Sequence, residues 1–182
     1  MRSRVYYWGM DEMTKRQLIE KVELCKKVNQ DLIRVVRIQP ASRDPQKLLD
    51  PANWESRSWA GYSEGVGLGV SACWDIADLA NYFSDREAHL DDCVVVEMDA
   101  YEADDKDEDA EHGAVLVWPQ RIVSVTPLAD TAFPLLVEHN ELLNRPSDPD
   151  TSDEIDARLE QIERELVDRY GEDQVRRWLL VL

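Results

Sequence analysis

An acidic tract set between apolar β-type runs is the strongest constraint on the fold of this chain. Residues 99–112, DAYEADDKDEDAEH, carry eight carboxylates against one lysine. Mutual repulsion and high polarity keep such a stretch out of any core, so it reads as an extended solvated loop or the tip of a β-hairpin. The run before it, Val94-Val95-Val96-Glu97-Met98, reads as a buried strand. Two further strands are expected after it, Ala114-Val115-Leu116-Val117-Trp118-Pro119 and Arg121-Ile122-Val123-Ser124-Val125-Thr126-Pro127, each closed by a proline.

Helical rhythm surrounds this β-rich centre. Val5-Tyr6-Tyr7-Trp8, ending at Gly9, is expected to be a short first strand. From Asp11 to about Asn29, Leu18, Ile19, Val22, Leu24, Cys25 and Val28 recur at intervals of three and four, which predicts an amphipathic helix. Leu32 to Ile38 reads as a strand stopped by Pro40, with Arg34 and Arg37 three apart and so on opposite faces of a sheet. Residues 40–62 hold Pro40, Pro45, Pro51, Trp54 and Trp59 without periodicity, which predicts a long loop that packs its own aromatics. Asp75 is placed to cap a helix running through Ile76, Leu79, Ala80 and Phe83.

Asp130 to Leu143 is expected to be a short helix, and NRPSDPDTSD (144–153) has the Pro, Ser and Asp content of a linker. Beyond it, Ile155, Leu159, Ile162, Leu166 and Val167 mark one helix ended by Gly171, and Glu172 to Leu182 a second. The expected organisation is an α+β core domain over 1–143, with a single mixed or antiparallel sheet flanked by helices, a linker over 144–153 and a C-terminal helical extension over 154–182. The apolar end, Trp178 to Leu182, needs cover: the chain's own core, a partner's groove or another copy.

Charge narrows the function classes. The net charge is -17, unevenly spread: residues 1–49 carry about +5 and the rest about -22. A field of that sign repels nucleic acid and anionic membranes and attracts basic partners. No apolar run reaches the length of a membrane span, and Cys25, Cys73 and Cys93 stand singly, which suits reduced thiols in the cytoplasm. Neither the cysteines nor His89 and His112 show the paired spacing of a zinc site. Asp105, Asp107 and Asp109 alternate as in a calcium loop, but Ala110 and Leu116 stand where that loop needs Gly and Glu, so no metal site is expected. The glycines of Gly65-Val66-Gly67-Leu68-Gly69 lack the spacing of a dinucleotide fingerprint or P-loop.

One stretch has a familiar order. RVVRI (34–38), GVSACWDIADLANYF (69–83), VVVEMDAYE (94–102) and AVLVWP (114–119) together resemble small bacterial ADP-ribosyltransferase-fold proteins over residues 32–126. The resemblance implies an NAD-using enzyme in which Arg34 or Arg37, Ser71 and a glutamate surround the cofactor. Where the family usually shows that glutamate, this chain has His112-Gly113-Ala114, with Glu111 alongside. An enzyme of this kind would use Arg37, Ser71 and Glu111.

No other catalytic constellation stands out, so the leading expectation is an acidic interaction or regulatory protein without a cofactor. Asp104, Asp105, Asp107, Glu108 and Asp109 would hold a basic protein partner by imitating a phosphate backbone. Trp178 would offer a further contact, and the C-terminal helices a route to a homo-oligomer.

Overall fold

The computed structural model describes residues 8–28, 31–54, 69–84, 90–104, 107, 109–110, 113–145 and 152–180. A helix α1 (Trp8–Lys27) precedes β1 (Ile33–Pro40), β2 (Val70–Cys73), α2 (Ile76–Ser84), β3 (Cys93–Glu102) and β4 (Ala114–Pro127), and helices α3 (Phe133–Leu143), α4 (Ser152–Tyr170) and α5 (Glu172–Leu179) follow. All four strands pair antiparallel, in the order β1-β2-β4-β3, and the sheet closes on itself through the Val36–Cys73 pair. The fold is therefore α+β, with the antiparallel form of the expected sheet. Among the described residues no helix is long and apolar enough to cross a membrane.

Alternation along the strands builds two cores on opposite faces. Val35, Ala72 and Met98 join Val70, Ala100, Val115, Val117 and Trp118 in one cluster, which Val22 of α1 and Trp54 complete. Their neighbours Ile38, Cys73 and Val95 turn the other way, onto Leu79, Ala80 and Phe83 of α2 and Phe133 and Leu136 of α3. The same second cluster takes in Ile162 and Leu166 of α4 and Val175 and Trp178 of α5. The C-terminal pair thus supplies one wall of a core begun by the sheet.

Several boundaries follow local chemistry. Asp75 caps α2, its carboxylate accepting from the amides of Ala77 at 2.7 Å and Asp78 at 3.0 Å. Gly171, at φ 84°, separates α4 from α5, a conformation that favours glycine. Gly69 leads into β2 so close to β4 that a Cβ there would lie 2.7 Å from the Val117 carbonyl oxygen. In the long connection after β1 the described part folds into two short 3-10 turns, and the buried Trp54 donates its indole N–H to the Leu48 carbonyl at 2.7 Å. Trp59 lies outside the described residues, as do Gly65 and Gly67.

Three expectations change. Trp8 and Gly9 belong to α1 rather than to a strand, and Val5–Tyr7 lie outside the described residues. The two strands expected around Pro119 are one 14-residue strand. Pro119 pairs with Ala100 at a register shift, past the point where β2 stops at Val70–Val117, so its missing N–H breaks no ladder on that side. Finally, of the expected apolar face, Ile19 and Leu24 of α1 and Val28 just past its end are exposed, and Val22 is buried.

Candidate functional site

The acidic tract is shorter as a loop than expected: Asp99 to Glu102 extend β3, with Ala100 and Tyr101 buried, and the remainder connects β3 to β4 as a hairpin loop. Asp104, Asp107 and Asp109 each make a contact within the fold. Asp107 accepts from the amide of Asp109 at 2.9 Å, closing an Asx-type turn. Asp109 accepts from the Tyr82 hydroxyl of α2 at 2.5 Å, and Asp104 pairs with Lys21 of α1 at 2.9 Å. Gly113, at φ 85°, ends the loop beside Asp78, where a Cβ would lie 3.7 Å from that of the aspartate. Two helices far apart in sequence therefore grip one loop. A carboxylate has about four acceptor positions, so hydrogen bonds within the fold can orient it.

At the neighbouring end of the sheet, β1 and β2 bring Arg37 and Ser71 together: the Arg37 guanidinium donates from Nη1 to the Ser71 carbonyl at 2.6 Å. Its Nε is buried with no hydrogen-bond partner, while the Ser71 side chain is exposed. Burial, then the charge of Arg43, pushes the Arg37 guanidinium below its usual range, and Asp107 pulls the other way. Burial also pushes the Cys73 thiol up to about 12, with Asp78, Asp107 and Asp75 adding to the effect. Cys73 is thus a protonated, inert thiol near neutral pH. Burial and then the charge of Asp75 raise the carboxyl of Asp78.

Of the expected site residues, Asp104, Asp107 and Asp109 share the hairpin loop, and Arg37 and Ser71 meet at the sheet end. Asp105, Glu108 and Glu111 lie outside the described residues. Arg34 is turned to the opposite face, where Asp99 and Glu97 hold it. Trp178 is 6 % exposed and packs edge-to-face on Tyr170, so its ring faces the core. All three cysteines are free thiols, and among the described residues no acidic, cysteine and histidine side chains group as a metal site.

Lys21, Tyr82 and Asp78 were not singled out by sequence reasoning. Lys21 and Tyr82 sit on helices whose patterns announce only amphipathicity, and their contacts with the loop span 83 and 27 residues of chain. No local signal encodes a pairing of that kind. No family model, curated protein or solved structure matches the chain.

Proposed function

We propose that the protein is an acidic interaction or regulatory module whose β3–β4 loop binds a basic protein partner. The observation that carries this reading is the fixed loop: Lys21, Tyr82 and the loop's own turn orient Asp104, Asp107 and Asp109 before any partner arrives. Preorganised carboxylates spare the ordering cost of binding, and a net charge of -17 steers cations toward them. A groove that normally holds nucleic acid is the partner surface best suited to a row of fixed anionic groups.

The test is retention of partners on the tagged protein from native lysate at low and at high salt. The wild type should retain a basic protein at low salt and release it at high salt. A variant carrying Asn at 104, 105, 107 and 109 and Gln at 108 should lose at least about tenfold in retention. A complex indifferent to salt, or to those five substitutions, rejects the proposal.

A second reading, an NAD-using enzyme of ADP-ribosyltransferase type, draws on Arg37. Its guanidinium is half-buried beside Ser71, holds one carbonyl, and has no described carboxylate within ion-pair distance. A guanidinium whose one acceptor among the described residues is a carbonyl is costly to bury, and the phosphates of a dinucleotide would offset that cost. Calorimetric titration of NAD should then give heat in the wild type and none in Arg37→Ala; a flat wild-type trace removes this reading.

A further inference from the structure

Trp74 follows the last residue of β2 and is 45 % exposed, whereas Trp54, Trp118 and Trp178 are at most 6 % exposed. It belongs to neither core cluster. The ladder fixes its place: Cys73 pairs with Ala114, so the next step brings Trp74 beside Gly113, where the acidic loop ends. Asp75 follows it directly and is held at the start of α2 by the amides of Ala77 and Asp78. Asp78 reaches the same corner, since a Cβ at Gly113 would lie 3.7 Å from its Cβ and 3.9 Å from its Oδ1. The neighbouring Cys73 thiol reads the sign of the local field. After burial, Asp78, Asp107 and Asp75 push it up, in that order, and Arg37, the one cation acting on it, pulls it down least. Arg37 is moreover engaged with the Ser71 carbonyl. The corner is therefore net negative locally, as the chain is overall.

We propose that Trp74 anchors the partner interface, its indole face receiving an arginine side chain of the basic partner while Asp75 and Asp78 supply the counter-charge. This rests on the proposed partner-binding role of the acidic loop and names the side chain that the foot of the loop reads. Charge selects the occupant, because an acidic segment is repelled from this corner. An apolar side chain would cover the ring and do nothing for the carboxylates. A guanidinium serves both: its plane stacks on an aromatic face, and its weakly hydrated charge presents fixed donors to carboxylates. Lysine reaches the carboxylates equally well, but its compact, strongly hydrated ammonium stacks less well. Tryptophan and arginine are also the residues that most often carry the binding energy of protein interfaces.

The probes are two synthetic peptides of equal length and charge, one of Arg and Ser and one of Lys and Ser, followed by fluorescence anisotropy at fixed low salt. The Arg peptide should bind the wild type about fivefold tighter than the Lys peptide. Trp74→Leu, at an exposed position, should remove that preference and leave the affinity for the Lys peptide unchanged, which also shows the variant to be folded. Trp74→Tyr keeps a stacking face and should keep most of the preference. The double variant Asp75→Asn, Asp78→Asn retains a good helix cap and should weaken both peptides. Equal affinities in the wild type, a preference that survives Trp74→Leu, or one lost as fully in Trp74→Tyr as in Trp74→Leu overturns the inference while the acidic-loop reading stands. Absence of binding by both peptides at low salt overturns both. A dimer in sedimentation that dissociates in Trp74→Leu assigns the indole to a second copy and likewise overturns the inference.

Discussion

Leu166→Ala should lower the stability of the whole chain by about 3 kcal/mol, and Val167→Ala should change it by no more than about 0.5 kcal/mol. Leu166 is 0 % exposed and Val167, one residue further along α4, is 36 % exposed. Leu166 packs in the cluster that also holds Ile38 and Val95 of the sheet and Leu79 and Phe83 of α2. Truncating it removes transfer free energy and opens a cavity that these neighbours, fixed by strand pairing and by Asp75 capping, fill poorly. The effect should reach every part of the fold. Helical circular dichroism and tryptophan fluorescence, followed through urea unfolding, should shift together in one transition. If part of each signal shifts while the rest still unfolds at the wild-type midpoint, α4 and α5 are an independent appendage rather than a wall of the core.

How this wall attaches was only partly legible in the chain. The three-four rhythm of Ile155, Leu159, Ile162 and Leu166 and the break at Gly171 predict both C-terminal helices, because each signal acts within a few residues. The sequence also shows that Trp178 needs cover, but not from where. That depends on which faces of α2 and α3 remain uncovered, a tertiary property. Proline misleads at position 119 for a related reason. A proline normally ends a ladder, yet here the ladder it would interrupt has already ended on the β2 side.

The candidate site divides in the same way. Polarity places the later part of the acidic tract between two strands but misses that Asp99 to Glu102 extend β3, and alternation turns Arg34 and Arg37 to opposite faces. The Tyr82 hydroxyl and the Lys21 ammonium are invisible at that level, since a tyrosine in ANYF and a lysine in EKVE each fit an ordinary helix surface. They nonetheless distinguish a loop that is merely solvated from one that is held.

Asp99 opens the acidic tract in sequence but belongs to β3 in the structure, and its replacement should be the most damaging of the tract's described carboxylates. It is 7 % exposed, whereas its partners Arg34 and Arg121 are largely in solvent. Register sets Arg34, Asp99 and Arg121 side by side across β1, β3 and β4. Arg34 donates from Nε at 2.6 Å, and Arg121 donates from Nε at 2.9 Å and also from Nη2. Glu97 extends the network, accepting from Arg34 at 2.7 Å and from the Ser124 hydroxyl at 3.0 Å. Asp99→Asn should cost about 2 kcal/mol, the scale of hydrogen bonds to a charged group, because the arginines can rehydrate once released. Burial pushes the Asp99 carboxyl up, but the hydrogen bonds and charges of Arg34 and Arg121 together outweigh it and hold the group below its ordinary value. A depressed carboxyl stabilises the fold above its unfolded pKa of about 3.9 and loses that contribution as pH falls through the folded value. The stability gap between wild type and Asp99→Asn should therefore be flat above about pH 5 and close as pH drops below about 4. Denaturant titrations across that range provide the check. A gap that stays constant into the acid range would mean that Asp99 acts by shape rather than charge, and the cross-strand arginines would then have to be held by Glu97 and packing alone.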